Sequence, residues 1–368
     1  MISIKNEKQY TLNQIYFYLT EGCNLKCCHC WIDPKYQSLK ESHSYLNHKV
    51  FSSVINQAKN LGLSGVKLSG GEPFLHPDIL HLLDIVKSEK LILTIESNGV
   101  LCTDQISDKI KQCINPFVCV SLDGANSKTH ETIRGVKGCF SSTLLGIKRL
   151  VERGIKVQLI MSIMRLNSDQ IEDFITLAET LNVFSVKFNI VQPTARGKFI
   201  HNSYQNLPVN ELIELGKWVE NYLDNKTYLE IFYDQPPAFR PLDKLLKEDI
   251  SKCGVCGILG IIGVLSNGSY ALCGIGTTVE DLVFGHAEKD DLHNIWYKSK
   301  ILNALRHGLP ERLNGICKNC LVKGICLGSC IAQNYYTTHN IWSSFWFCEE
   351  AKKMGIFPKN RLSPIISN

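Results

Sequence analysis

The chain has 368 residues, of which 44% are hydrophobic and 20% are charged, and it carries a formal net charge of +5. This composition is typical of a globular protein with room for two domains, and it gives no indication of a nucleic-acid or membrane partner. The N-terminus lacks the apolar run of a signal peptide, and the densest apolar stretch, residues 258–265, is far shorter than the roughly 20 residues of a membrane span.

Sixteen cysteines without a secretion signal indicate metal binding in a reducing cytoplasm rather than a disulfide framework. They are unevenly placed, because eight fall from Cys253 to Cys348 and none falls between Cys139 and Cys253. This distribution predicts a metal-poor middle and a metal-rich C-terminal module.

Apolar and β-branched runs alternate with amphipathic stretches along the first two thirds of the chain. The predicted strands cover residues 14–20, 66–69, 91–96, 117–121, 157–163 and 186–191. The predicted helices cover residues 47–61, 78–88, 104–113, 140–152, 169–181 and 209–223. Six strands alternating with helices predict an α/β fold, a partial (β/α)6 TIM-like barrel with a parallel sheet and its chemistry on the loops after the strands. Residues 228–240 look like a connecting strand and bridge, so we place a domain boundary near residue 240, between domains 1–240 and 241–368.

The loop after the first predicted strand holds Cys23, Cys27 and Cys30 in a C-x3-C-x2-C pattern. Three thiolates at this spacing can bind three irons of a [4Fe–4S] cube and leave the fourth iron free for a ligand that is not protein. Cys28 makes a C-x4-C alternative with Cys23 possible. A zinc site is the other interpretation of so many cysteines in one loop.

The C-x3-C-x2-C pattern closely resembles that of the radical S-adenosylmethionine (radical SAM) enzymes. The resemblance implies that Cys23, Cys27 and Cys30, rather than Cys28, hold the cluster. It also implies that S-adenosylmethionine chelates the fourth iron through its amino and carboxylate groups, and that His29 lies near the adenine.

The loops after the next strands carry further motifs of this family. Gly70-Gly71-Glu72-Pro73 resembles the segment that holds the amino group of S-adenosylmethionine, in which Glu72 accepts from the ammonium group. The resemblance also places Ser97 and Ser121 in the cofactor region and assigns Arg134 to the cofactor carboxylate. Arg196-Gly197 is a weaker match to a pair that closes over the cofactor. Ordinary turn and N-cap chemistry is the alternative for these short motifs.

The C-terminal cysteines follow the pattern of a second module. A Gly268-x4-Cys273 element lies between Cys253-x2-Cys256 and the run Cys317-x2-Cys320-x5-Cys326-x3-Cys330, and Cys348 ends the series. This series resembles the SPASM domain of radical SAM peptide maturases, and a zinc ribbon is the alternative. The resemblance implies two auxiliary [4Fe–4S] clusters, three in all: cluster one on Cys253, Cys256, Cys273 and Cys330, and cluster two on Cys317, Cys320, Cys326 and Cys348. If only one of Cys253 and Cys256 is a ligand, cluster one has an open iron that could bind a substrate thiolate.

These resemblances imply an oxidoreductase in which a 5′-deoxyadenosyl radical abstracts hydrogen from a ribosomally synthesised peptide. The expected product is a thioether or a carbon–carbon crosslink, and the expected electron donor is a flavodoxin or ferredoxin. The first cluster cysteine lies close to the N-terminus, so we expect either a separate leader-binding protein or direct recognition of a short motif.

Three other functions remain open at this stage. An anaerobic sulfatase maturase, which makes formylglycine, fits the chain length, and Asp234 is a candidate for its base. A haem-pathway enzyme that removes side chains is a lower-ranked alternative. A non-catalytic iron–sulfur carrier or zinc scaffold is disfavoured by the intact Gly70-Gly71-Glu72-Pro73 motif, because a carrier needs no cofactor cradle.

Overall fold

The computed structural model describes residues 10–37, 43–222, 226–247 and 256–364. Its strands are β1 (Gln14–Tyr18), β2 (Gly22–Cys23), β3 (Lys35–Tyr36), β4 (Gly65–Ser69), β5 (Ile92–Ser97), β6 (Ile114–Ser121), β7 (Lys156–Ile163), β8 (Ser185–Ile190), β9 (Glu230–Tyr233), β10 (Ile261–Val264), β11 (Ser269–Ala271) and β12 (Val283–His286). Its helices are α1 (His48–Lys59), α2 (Ile79–Ser88), α3 (Asp104–Lys111), α4 (Ser127–Arg134), α5 (Cys139–Glu152), α6 (Ile171–Thr180), α7 (Gly197–Asn202), α8 (Val209–Tyr222), α9 (Leu242–Lys247), α10 (Leu292–Lys298), α11 (Lys300–Gly308), α12 (Lys323–Cys326), α13 (Ile331–Thr338) and α14 (Trp346–Lys353).

The large sheet has the strand order β12-β11-β10-β1-β4-β5-β6-β7-β8-β9. All neighbours from β10 to β9 are parallel, whereas β11 and β12 continue the sheet in antiparallel fashion. The six predicted strands are β1 and β4 to β8, in the predicted order. The predicted α/β fold, a partial barrel with a parallel sheet, is confirmed.

Each barrel strand separates an apolar outer face from a polar inner face, because successive side chains point to opposite sides of a strand. On β4, Val66 and Leu68 are fully buried in the core against the helices, while Lys67 between them faces the barrel lumen. On β1, Ile15 and Phe17 take the outer positions and Tyr16 the inner one. The core therefore lies outside the sheet, and the lumen is free for polar chemistry.

Helix α4 was not predicted, because Ile133 is the one large apolar residue in its sequence SKTHETIR. The signals for this helix are its two caps rather than an apolar stripe. The Asn126 side chain accepts from the Thr129 amide, and Gly135 adopts a left-handed conformation after the last turn. Helix α7, which begins at Gly197, was also absent from the prediction and lies directly after the Arg196-Gly197 pair.

The C-terminal part of the chain joins the barrel through its sheet. Strand β10 pairs in parallel with β1, with Gln14 opposite Ile261, and so closes one edge of the barrel wall. On the other edge, β9 pairs with β8 and lies within the segment predicted to be a connecting strand. The predicted domain boundary near residue 240 falls between β9 and α9, and the division into two domains remains a prediction. Across the described residues, no helix is both long enough and apolar enough to cross a membrane.

Candidate active site

The cluster loop, residues 23–30, leaves the end of β1 and brings three of its four thiols to one side. Cys23 and Cys27 are buried together with Leu25 and Cys139, and Cys30 packs against the same group. Cys28 instead contacts an apolar group of Ile133, Met164, Val191 and Ile200. The geometry therefore groups Cys27, and not Cys28, with Cys23 and Cys30.

The surroundings of these thiols favour a bound metal cluster. Burial raises the pKa of Cys23 and of Cys30 above the ordinary thiol value, and the neighbouring Cys27 adds to the effect. Thiols of this kind ionise when a metal supplies the compensating charge. Two donors already point at sulfur, since the Leu25 amide lies 3.4 Å from Cys23 Sγ and Arg134 Nη1 lies 3.4 Å from Cys27 Sγ.

The Gly70-Gly71 turn packs directly on the backbone of the cluster loop. A Cβ on Gly71 would lie 1.9 Å from the Gly22 carbonyl oxygen, and one on Gly70, where φ is +132°, would lie within about 3 Å of the Leu19 and Thr20 backbone. The amide of Gly71 donates to the Thr20 carbonyl. Glycine is required here because the two backbones touch, and this contact fixes the cluster loop against β4.

Glu72 is fully buried behind this turn and already binds protein groups. Its carboxylate accepts from Ser97 Oγ at 2.8 Å, from the Asn98 amide at 2.8 Å and from the Phe74 amide at 3.1 Å, and Pro73 begins the short turn that Glu72 caps. Burial raises the pKa of Glu72 to about 7, against the effect of these donors. Ser97, predicted to lie in the cofactor region, thus holds Glu72 in place. A carboxylate that accepts three hydrogen bonds has room for one more donor, such as an ammonium group.

A buried charge group lies under the other side of the cluster loop. Arg134 Nη2 lies 2.7 Å from Asp123 Oδ2, and His29 Nε2 lies 3.5 Å from the same oxygen. Burial opposes ionisation of Asp123, but Arg134 and His29 hold the pKa of its carboxyl below the ordinary value. Burial lowers the pKa of His29 to about 4, so its imidazole is neutral. Arg134 was predicted to bind a cofactor carboxylate; in the structure its partners are Asp123 and Cys27.

Polar atoms without partners remain near this group. His29 Nδ1, Asn189 Oδ1 and Thr194 Oγ1 are buried and have no hydrogen-bond partner within the described residues. Such atoms are costly unless a ligand satisfies them. Together with the three thiols they fit an S-adenosylmethionine molecule bound at the C-terminal ends of the strands, where Ser121 also ends β6.

Asp123 and Asn98 are site residues that the prediction did not single out. Asp123 follows the predicted strand 117–121, and it is fully buried in the charge group. Asn98 donates to Asn24 Oδ1 at 2.7 Å and so holds the cluster loop. Their position directly after a predicted strand was the available signal, because side chains at strand ends of such a barrel meet at its mouth.

A second set of thiols lies beside β10 and β1. Cys256, Cys273 and Cys330 are close enough that the pKa of Cys256, raised mainly by burial to about 12, is raised further by Cys330. Cys273 is affected in the same way by burial, by Cys330 and by Cys256. These are three of the four cysteines predicted for auxiliary cluster one, including the distant Cys330. The fourth, Cys253, lies outside the described residues.

The third set of thiols surrounds a cavity. Cys317, Cys320, Cys326 and Cys348 line it together with apolar groups such as Ile316 and Phe357. All four are buried. They are the four predicted for auxiliary cluster two. Four buried thiols around one cavity match the number of ligands that a cube takes.

Comparisons with known proteins agree with this arrangement. Residues 17–178 match the model of the radical SAM superfamily, and residues 253–321 match that of the SPASM iron–sulfur cluster-binding domain, together well over half of the chain. The chain is 27% identical over 338 residues to the AdoMet-dependent heme synthase of Methanosarcina barkeri, across 90% of this chain and 94% of that protein. It is 30% identical over 185 residues to the subtilosin biosynthesis protein AlbA of Bacillus subtilis, across 50% of this chain and 40% of AlbA.

Solved structures share the fold. SuiB of Streptococcus suis bound to S-adenosylmethionine has a TM-score of 0.71 at 19% identity, across 93% of this chain and 78% of SuiB. SuiB has also been solved bound to the precursor peptide SuiA. The structure of anSMEcpe with bound AdoMet and a peptide has a TM-score of 0.69 at 16% identity, across 94% of this chain and 96% of that one. The first match contains Cys23, Cys27 and Cys30, and the second contains Cys256, Cys273, Cys317 and Cys320. The chain therefore belongs to the radical SAM superfamily, carries a SPASM domain and is an enzyme.

Proposed function

We propose that this enzyme is a maturase that abstracts hydrogen from a ribosomally synthesised peptide and forms a thioether or a carbon–carbon crosslink. The observation that carries the proposal is the placement of two thiol sets on one barrel wall. The first set follows β1, and the second lies against β10, which pairs with β1. A substrate in the lumen would lie between a radical source and an electron acceptor. The carrier and scaffold alternatives lose support because the family is one of enzymes.

In this proposal Cys23, Cys27 and Cys30 hold the cluster, and His29, Gly70, Gly71, Glu72, Pro73, Ser97, Ser121 and Arg134 form the cofactor region. When bound, the cluster and S-adenosylmethionine supply a 5′-deoxyadenosyl radical. The protein's part is to orient the cofactor and exclude water. Glu72 can accept from the cofactor ammonium with its remaining lone pair, and Arg134 keeps a positive charge next to Cys27 Sγ.

We further propose three [4Fe–4S] clusters, the auxiliary two on the cysteines predicted for them. They would take the electron that leaves the oxidised substrate and exchange electrons with a flavodoxin or ferredoxin. The cysteine-rich composition supports a reducing cytoplasm as the location.

A groove at the barrel mouth supports a peptide substrate. A cavity of about 370 Å³ lies between α7 and the C-terminal module, and it is lined by Lys198, Thr278, Val279, Glu280, Asp281, Tyr336 and His339. Its lining mixes polar and apolar surface and is open to solvent, so it can contact both the backbone and the side chains of an extended peptide. Lys198, which lines the cavity, directly follows Gly197. A Cβ on Gly197 would lie 3.3 Å from the His29 carbonyl oxygen, so this end of the cavity is near the cluster loop.

The test is co-expression of the enzyme with each short open reading frame beside its gene, followed by mass spectrometry of the peptide. Loss of two hydrogen atoms at a cysteine and an unactivated carbon, or between two carbons, would confirm the proposal. Formylglycine at a cysteine or serine would instead establish the sulfatase-maturase alternative. A Cys27→Ala variant is the matched control, because modification that persists in it is not radical chemistry.

A haem-pathway reaction is the second candidate. The observation that favours it is the 27% identity to an AdoMet-dependent heme synthase across nearly the full length of both chains. Incubating the reconstituted enzyme with iron coproporphyrin III, S-adenosylmethionine and dithionite tests it. Loss of propionate carboxyl groups as carbon dioxide would replace the peptide proposal, and an unchanged porphyrin would exclude this candidate.

A further inference from the structure

The guanidinium of Arg134 uses each of its three nitrogens differently. Nη2 lies 2.7 Å from Asp123 Oδ2, and Nη1 donates a hydrogen bond to Cys27 Sγ at 3.4 Å. Nε is buried and has no hydrogen-bond partner within the described residues, so it is left for a further acceptor such as the cofactor carboxylate. Arg134 therefore joins a buried carboxylate to one of the three thiols proposed to hold the first cluster.

One backbone junction holds the donor and the thiol together. The Lys26 amide donates to the Arg134 carbonyl at 2.9 Å. On the other side of Cys27, the Cys28 amide donates to the Ile133 carbonyl at 3.0 Å. The cysteine is therefore anchored to the same helix end whose last side chain donates to its sulfur, and only 8% of that side chain is exposed.

Cys27 differs from Cys23 in the charge of its donors. Cys23 Sγ lies 3.4 Å from the Leu25 amide and 4.0 Å from Asn98 Nδ2, and both of these donors are neutral. Arg134 carries a positive charge, because a guanidinium is not deprotonated in proteins. Since a charged donor forms a stronger hydrogen bond than a neutral one, Cys27 is the one of these two thiols whose donor has the greater effect on a bound cluster.

The charges around the thiol determine the direction of this effect. A cube held by three thiolates is anionic and gains one further negative charge when it is reduced. A positive donor at a ligand sulfur therefore stabilises the reduced form more than the oxidised form. Asp123 acts in the opposite direction, because its carboxylate offsets part of the charge of the same guanidinium. His29, whose imidazole is neutral because burial lowers its pKa to about 4, adds no charge.

We propose that Arg134 raises the reduction potential of the first cluster through its Nη1–H···Sγ bond to Cys27, and that Asp123 is the positioning residue that holds the guanidinium there and moderates its charge. The inference deepens the proposed function and rests on it for the cluster at Cys23, Cys27 and Cys30. It does not depend on which substrate is modified. It gives Arg134 a role in the reduction of the cluster by its electron donor, besides the role proposed toward the cofactor carboxylate.

The experiment is a redox titration of the full, reconstituted enzyme with low-potential mediators, followed by electron paramagnetic resonance. The signal of the first cluster is the one that changes when S-adenosylmethionine is added, and midpoints are measured before that addition. In Arg134→Gln we expect this midpoint to fall by at least about 59 mV, equivalent to a tenfold loss in the equilibrium constant of a one-electron reduction. In Asp123→Asn we expect it to rise. The auxiliary clusters serve as an internal reference, and their midpoints should not move.

Arg149→Gln is the matched control. Arg149 Nη1 also donates to a cysteine residue, at 3.0 Å from the Cys102 carbonyl oxygen, and its Nε also pairs with an aspartate, at 3.2 Å from Asp104 Oδ2. Because Cys102 is not a proposed ligand, this variant should keep the midpoint of the unchanged enzyme. A double variant, Arg134→Gln with Asp123→Asn, removes both charges and leaves no buried carboxylate unpaired. It should fold and have a lower midpoint than Asp123→Asn alone.

An unchanged midpoint in Arg134→Gln, or an equal fall in Arg149→Gln, overturns the inference. Loss of the first cluster from both the single and the double Arg134 variants also overturns it, because Arg134 would then be needed for assembly of the cluster and not for its potential. The proposed function fails separately, if the unchanged enzyme gives neither a signal that responds to S-adenosylmethionine nor 5′-deoxyadenosine. If it gives both and Arg134→Gln shows no shift, the inference alone fails.

Discussion

Cys27 and Cys28 are adjacent in sequence and lie in opposite environments. Cys27 packs with Cys23 and receives the Arg134 guanidinium, whereas Cys28 contacts apolar side chains and burial raises the pKa of its thiol to about 11. The local backbone explains the difference, because the amides of Lys26 and Cys28 donate to the end of α4 and turn the two side chains apart.

We therefore predict that Cys27→Ala and Cys28→Ala have different effects on iron binding and on 5′-deoxyadenosine formation. Cys27→Ala should lose the iron of the first cluster and all formation of 5′-deoxyadenosine, because it removes one of three ligands. Cys28→Ala should retain both and lose only about 1 kcal/mol of stability from weaker packing. Iron per chain and 5′-deoxyadenosine, measured after anaerobic reconstitution, check this, and the reverse pattern would make Cys28 the ligand.

The Asp123 carboxylate balances the positive charge of a buried guanidinium. It pairs with Arg134 in the protein interior and accepts from the Ser162 amide at 2.8 Å. We predict that Asp123→Asn lowers the free energy of unfolding by about 3–5 kcal/mol, because a buried guanidinium loses its counter-charge. Denaturant unfolding measures this. Asp173→Asn, in the first turn of α6, is a control for the chemical change.

The same carboxylate sets a pH dependence. The pKa of Asp123 is lower in the folded than in the unfolded chain, so its contribution to stability is complete above the ordinary value of about 3.9 and is lost as the pH falls toward the folded value. Unfolding free energies measured across the acid range should show this loss in the unchanged protein and a shallower dependence in Asp123→Asn. Identical slopes for the two proteins would contradict the assignment.

Among the elements, α4 has the closest relation to the cluster loop. The carbonyls of Ile133 and Arg134 in its last turn accept from the amides of Cys28 and Lys26, so the loop caps the helix. Gly135 allows this, since its φ is +73° and a Cβ there would lie 2.9 Å from the Lys26 carbonyl oxygen. One short helix thus positions both Arg134 and the loop that carries the thiols.

Two glycine variants distinguish a steric clash with the cluster loop from the backbone strain of a positive φ. Gly135→Ala and Gly138→Ala both place alanine at positive φ, which costs about 1–2 kcal/mol. Only Gly135→Ala also pushes a methyl group into the cluster loop, because a Cβ on Gly138 meets nothing within 4 Å. We expect Gly135→Ala to unfold more easily and to bind less iron in the first cluster, while Gly138→Ala keeps its iron. Equal iron in both would show that the loop tolerates displacement.

For the whole molecule, sequence reasoning identified the alternating strands and helices, and its assignment of cluster ligands stays a prediction. The strand–helix alternation predicted β1 and β4 to β8 because apolar periodicity is local. The grouping of Cys330 with Cys256 and Cys273 came from the resemblance to the SPASM domain and not from the residues alone. Sequence reasoning could not find α4, whose helical state depends on caps and on the cluster loop. It also could not find the β1–β10 pairing, because no local pattern in either strand specifies a partner so distant in sequence.

Together, the three thiol sets predict the iron content of the molecule, and Cys348 belongs to the third set. The unchanged enzyme should bind about 12 irons and a Cys348→Ala variant about eight, because each cube holds four. Formation of 5′-deoxyadenosine should persist in the variant, since the first cluster lies on a different loop. A Cys119→Ala variant, whose thiol faces the lumen, should keep all of its iron, and a loss of 5′-deoxyadenosine in Cys348→Ala would link the two sites.

The pairing of Gln14 with Ile261 also has a consequence for the order of events during synthesis. A ribosome that has made β1 must add well over two hundred further residues before the strand on its outer side exists. Until then one edge of the N-terminal strand stays unpaired, and contacts between such distant segments form slowly. The nascent protein therefore completes its barrel wall only after ten of its sixteen cysteines, including all four of the cluster loop, have been synthesised.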